Sequence, residues 1–124
     1  MSKKVNIIVT QPPYGKEEVF GAIPLAATQS AADNEASITL VSGAVHAVVT
    51  GQQTGYGDVA RWDKNIPAIE NEIKNNLDLF DFYVLDSDLQ KRGITDGEII
   101  EGIKKTTISE LTDRILESDV TLVL

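Results

Sequence analysis

Residues Phe82–Ile94 read FYVLDSDLQKRGI. An apolar run, Leu79–Leu85, stops at Asp86-Ser87-Asp88 and passes into Lys91-Arg92-Gly93. The run predicts a strand, and the change to charge marks its carboxyl end. In an open α/β sheet that end is where ligands bind. Working outward, the same pattern returns. Val5–Thr10 (VNIIVT), Ser37–Val41 (SITLV) and Val120–Leu124 (VTLVL) are short apolar runs rich in β-branched residues, and Lys104–Thr107 reads as a further short strand. Helical segments lie between them. Lys16–Ala32 carries Val19, Phe20, Ile23, Ala27 and Ala31 near helical spacing, with Pro24 predicting either a kink or a fresh start. Ala44–Thr50 predicts a short apolar helix, and Ile66–Leu77 an amphipathic one with Pro67 in its first turn. Asp96–Ile103 predicts a short helix or turn, and Ile108–Glu117 a helix capped by Thr107 or Ser109. Strands alternating with helices, the strands being near-continuous apolar runs, predict a mainly parallel sheet covered on both faces. The expected unit is one α/β domain over residues 1–124.

Composition narrows the function. Hydrophobic residues make up 42% of the 124 and charged residues 24%, which is ordinary globular usage and argues against disorder. Nineteen acidic against eleven basic residues give a net charge of −8, so a nucleic-acid backbone would be repelled. There is no cysteine, which removes disulfides, thiolate metal sites and any thiol nucleophile. No apolar run reaches the length of a membrane span or a signal sequence. The expectation is a cytoplasmic protein without membrane or nucleic-acid partners.

Asp86 and Asp88 admit several readings. A strand-to-turn transition with Asx-type hydrogen bonds is the simplest. A cation site would have only two hard ligands in sight. A ligand pocket at the strand ends would draw in Pro12, Tyr14 and Gly43. An aspartyl nucleophile with magnesium is chemically sensible, and D-x-D after a strand resembles haloacid-dehalogenase-type phosphatases. There, however, the motif ends the first strand, and here it follows the third. A receiver-domain reading fails because Gln11-Pro12-Pro13 stands where an acidic pair is needed. Arg92-Gly93 reads as a turn, Gly93 permitting positive φ and Arg92 capping, pairing locally or holding an anion. His46 is the single histidine, read as packed or at an interface rather than catalytic. Gly51–Asn65 (GQQTGYGDVARWDKN) fits no phosphate-loop pattern and reads as a mobile or functional loop. Gln52, Tyr56 and Trp62 in it, with His46, are candidate interface residues.

Taken in order, several of these segments resemble the DsrE/DsrF-like family, in particular its DsrF/TusC branch of sulfur-relay subunits. They are the first strand running into PPYG (Pro12–Gly15), a helix with Gly21, Ala22, Leu25 and Ala26, and SGAVHAVVTGQ (Ser42–Gln52) after strand two. LQKRGI (Leu89–Ile94) follows strand three, and LTDRILESDVTLVL closes the chain. The resemblance implies a three-layer α/β/α sandwich with a mainly parallel five-stranded sheet. It also implies dimers, trimers or hexamers, formed with itself or with DsrE-like subunits. Some members of that family carry a persulfide on a cysteine in the loop after strand three. The matching positions here are Leu85, Asp86, Ser87 and Asp88. Serine does not replace the thiol, since its hydroxyl needs an activating base at neutral pH. The reading expected is therefore a non-catalytic subunit with no metal or cofactor. A homo-oligomeric small-ligand binder using the strand ends is the alternative.

Overall fold

The computed structural model describes residues 2–52 and 68–124. The chain runs β1 (Lys4–Val9), α1 (Glu18–Ala31), β2 (Glu35–Leu40), a 3₁₀ helix (Ser42–Val48), α2 (Ile69–Asn76), β3 (Asp81–Leu85), α3 (Asp86–Lys91), a 3₁₀ turn (Asp96–Glu98), β4 (Lys104–Thr106), α4 (Ile108–Glu117) and β5 (Val120–Val123). The strands form one five-stranded sheet in the order β4-β3-β2-β1-β5. Every neighbouring pair is parallel, with Ile7 opposite Ile38 and Ile38 opposite Phe82 across the centre.

The topology explains the layering. β1 to β4 step across the sheet in one direction, and right-handed crossovers put α1, α2 and α3 on the same face. The connection from β4 to β5 runs back across the sheet, which puts α4 on the other. Strand alternation then sorts the side chains. Val5, Ile7, Val9, Ile38, Leu40, Phe82 and Val84 join Val19, Ala22, Ile23 and Ala26 of α1 and Ile69 and Ile73 of α2 in one core cluster. The opposite face carries Asn6, Ile8, Ser37, Thr39, Asp81 and Tyr83, and α4 sends only Leu111 into full burial there.

Two expectations about helices are settled by packing. α1 is one continuous helix through Pro24, which lies on its exposed side, and the Thr28 hydroxyl donates to the Pro24 carbonyl at 2.8 Å. α4 starts where a capping box dictates. Glu110 N–H donates to Thr107 Oγ1 (3.2 Å), and Thr107 N–H donates to Glu110 Oε1 (3.0 Å). The Thr107 N–H, and then the Thr107 hydroxyl, hold the Glu110 carboxyl below its ordinary range. Thr107, not Ser109, is the cap.

Candidate functional site

The expected loop Leu85–Asp88 is not a loop. Leu85 ends β3 and Asp86 already begins α3, so Asp86 and Asp88 fill that helix's first turn. Carboxylates there face the positive end of the helix dipole, which stabilises them without an Asx turn. Leu89, buried at 2% exposure, pins α3 to the core. Each aspartate has a defined partner. Asp86 Oδ2 accepts from Gln90 Nε2 at 3.0 Å, one turn along. Asp88 Oδ2 accepts from the backbone N–H of Ser42 at 2.7 Å, at the end of the neighbouring strand.

Ser42 is held from both sides. Its carbonyl accepts from Arg92 Nε at 3.1 Å, while its N–H donates to Asp88. Its φ is +53°, a conformation a non-glycine residue adopts at a cost. α3 and the turn after it therefore clamp the exit of β2 through one carboxylate and one guanidinium. Gly93, at φ +68°, supplies the left-handed residue that ends α3. Gly43 sits against Pro12, and a Cβ at Gly43 would come within 3.4 Å of Pro12 Cδ. The structure thus brings Pro12, Gly43, Asp88 and Arg92 to one end of the sheet, with Ser42 at their centre.

An experiment separates the two aspartates. Asp88→Ala should cost about 1–2 kcal/mol, the value of a charge-assisted bond to a backbone N–H. Asp86→Ala should stay within about 0.5 kcal/mol, as exposed helix substitutions do. Urea unfolding of both variants at neutral pH reads the difference, and equal effects would mean that the Ser42 clamp contributes nothing.

Tyr14 and Gln52 belong to a second group. Tyr14 Oη donates to Gln52 Oε1 at 2.7 Å and accepts from Ile69 N–H at 3.1 Å. Gln52 Oε1 also accepts from Glu70 N–H (3.1 Å), and Gln52 Nε2 donates to the carbonyls of Ala47 (2.7 Å) and Val49 (2.9 Å). Gln52 N–H donates to Glu70 Oε1 (2.9 Å), and Lys74 Nζ donates to Glu70 Oε2 (2.9 Å). The Lys74 ammonium, and then the Gln52 N–H, hold the Glu70 carboxyl below its usual range although Glu70 is buried. Gln52, expected at an interface, spends both ends of its amide inside its own chain. Glu70 drew no attention in the sequence. Its one signal was Lys74 four residues on, the spacing of a helical ion pair.

His46 is exposed on the 3₁₀ helix, whose Ala44, Val45, Ala47 and Val48 are buried. It is surface, not packed. Tyr56 and Trp62 lie outside the described residues. Among the described residues no three His, Asp or Glu side chains converge as metal ligands would.

The sequence model of the DsrE/DsrF-like family matches residues 3–124. The chain belongs to the DsrE/DsrF-like family. An uncharacterized protein of Methanocaldococcus jannaschii is 28% identical over 120 residues, covering 94% of this chain and 95% of that one. The crystal structure of the ychN protein from E. coli superposes at a TM-score of 0.82 with 25% identity, each chain covered in full. A protein of unknown function from Methanobacterium thermoautotrophicum shares the fold at a TM-score of 0.67 and 12% identity, again with both chains covered in full. The five-stranded sheet and its helices are thus those of DsrE-like structures. The clamp formed by Asp88, Ser42 and Arg92 is how this DsrE/DsrF-like chain closes the end of its sheet beyond strand three.

Proposed function

We propose that this chain is a non-catalytic, self-associating subunit of a DsrE-type assembly, of the TusC-like kind that completes an assembly without carrying sulfur itself. The absence of cysteine supports the second half of that reading, because a persulfide needs a thiol. The observation that carries the first half is the surface formed by α4 and β5. Leu116 is 78% exposed, Val123 65% and Ile108 58%, with Ile115 also open to solvent, while Val120 and Leu122, in register with Val5 and Ile7, are open on the sheet's other face. Ile108 and Ile115, two turns apart, stack along one line of α4 beside the buried Leu111, and Leu116 extends the exposed apolar surface round the helix.

The two sheet edges favour a second copy as the occupant. β4, one edge, carries Lys104 and Lys105, charges that discourage strand pairing. β5, the other edge, reads Val-Thr-Leu-Val and has no charge to guard it. An unguarded edge beside an apolar helix stripe is self-complementary and suits a two-fold contact. Asp88, by contrast, is engaged by Ser42, which weakens a ligand-binding reading of the aspartates.

Native mass spectrometry tests this. The wild-type chain should be oligomeric across the micromolar range. Leu116→Glu combined with Val123→Lys should leave a folded monomer, the circular dichroism being unchanged. A wild-type monomer, or an oligomer that survives both charges, overturns the proposal.

A further inference from the structure

Hydrogen bonds at the end of β5 show which of its backbone groups are spent. Leu124 donates its N–H to Ile8 O at 2.8 Å, and its carbonyl accepts from Thr10 N–H at 3.0 Å, so both groups point at β1. Successive residues of a strand turn these groups to opposite sides. Leu122 therefore faces β1 as Leu124 does, and the N–H and C=O of Thr121 and Val123 point out of the sheet. β5 is an edge strand paired with β1 alone, so these four groups have no partner among the described residues. We propose that a second copy of this chain sets its β5 antiparallel to this one about a two-fold axis, joining two five-stranded sheets into one continuous sheet. This rests on the self-association reading above and names the contact by which the copies meet.

The backbone fixes the register. In an antiparallel pair, two residues opposite each other exchange both of their bonds. With Thr121 opposite Val123 of the second copy, and Val123 opposite Thr121 of the second copy, every outward group on both edges is bonded. Either residue set opposite its own counterpart would satisfy only half of these groups within the stretch. For Thr121 the next bonding position would then be Asp119, whose N–H is already spent on Lys4 O at 2.9 Å. The axis consequently passes beside Leu122, which meets Leu122 of the second copy as a close pair without mutual hydrogen bonds.

Side chains favour the same register. Val120 and Leu122 are level with the buried Val5 and Ile7, yet they are 45% and 36% exposed because no helix covers them. Across the axis Leu122 covers Leu122, and Val120 lies beside Leu124, which packs on the core from that face. On the α4 face the exposed Val123 lies beside Thr121, a β-branched pair of the kind that stabilises neighbouring strands. Val120–Val123 carries no charge, so two chains of net charge −8 can approach here without opposing carboxylates in the contact.

Cysteine crosslinking reads this register, and the lack of any native cysteine leaves the introduced thiol without a competitor. The two Leu122 Cα atoms would lie about 4.5 Å apart, inside the range of a disulfide. The two Val123 Cα atoms would lie roughly 8–9 Å apart, too far to bridge, although Val123 is the more exposed residue. Under mild air oxidation Leu122→Cys should form a covalent dimer at least about tenfold faster than Val123→Cys. Val123→Pro removes an outward N–H and leaves the ladder to β1 intact. It should keep the wild-type circular dichroism and raise the dimer dissociation constant at least about tenfold. Native mass spectrometry of the wild type separates the two claims. An oligomeric wild type with equal crosslinking at positions 122 and 123, or an oligomer indifferent to Val123→Pro, overturns the strand pairing and leaves the assembly reading standing. A monomeric wild type overturns both.

Discussion

Gln52→Ala is expected to lower the unfolding free energy by about 2–4 kcal/mol, far more than a half-buried polar residue ordinarily costs. The reason is its number of partners. One amide serves Ala47 O, Val49 O, Tyr14 Oη and Glu70 N–H. Deletion strands the two carbonyls and the Glu70 N–H, which water reaches only in part because Gln52 is half-buried, while Tyr14 Oη keeps its bond from Ile69 N–H. The same hub predicts an acid limb. Lys74 and the Gln52 N–H hold the Glu70 carboxyl below its ordinary value near 4.5. A depressed carboxyl stabilises the fold fully above its unfolded value, and that contribution is lost as the pH falls through the lower folded value. Glu70→Gln should therefore flatten the loss of stability in that acid window. Urea midpoints of the two variants against wild type between neutral pH and about pH 3 check both claims. A loss below about 1 kcal/mol for Gln52→Ala would mean that the hub is incidental.

That hub also marks where the sequence stops being legible. The strands could be read because β-branched runs bounded by turn residues have a local signature. Val5–Thr10 came out as Lys4–Val9 and Val120–Leu124 as Val120–Val123. Leu79–Leu85 lost its first two residues, and Phe80 packs on Phe82 before the strand begins. α4 was legible to the residue because Thr107 and Glu110 form a cap by themselves. Tyr14, Gln52 and Glu70 meet across long stretches of chain, and nothing local announces such a meeting. The expectation of a sheet covered on both faces held for β1, whose residues from Val5 to Val9 are all buried. It weakened at β2 and β3, where Ser37 and Tyr83 are only partly buried and Asp81 is exposed on the side that α4 alone covers. The sheet order decides that asymmetry, and a single sequence does not display sheet order.

α3 was missed for a different reason, and one substitution tests what it does. It has six residues and a single buried one, Leu89, so no periodicity betrays it, and Asp-Ser-Asp reads as turn chemistry. Leu89→Ala should cost about 2–4 kcal/mol, a large-to-small change in a fully buried position. Part of that cost is expected to come from the clamp and not from the cavity. Leu89 is next to Asp88, whose carboxylate holds Ser42 N–H, and three residues before Arg92, which holds the Ser42 carbonyl. If α3 loosens when Leu89 is truncated, the Asp88 bond is already weakened, and removing Asp88 then costs less. A double-mutant cycle with Asp88→Ala should accordingly show a coupling above about 0.5 kcal/mol, with the double variant less damaged than the sum. Additive losses would make α3 a passive continuation of β3. Coupled losses would make it a strap whose one apolar anchor keeps a carboxylate and a guanidinium on the strained Ser42. The closed end of the sheet would then depend on Leu89 as much as on the charges themselves.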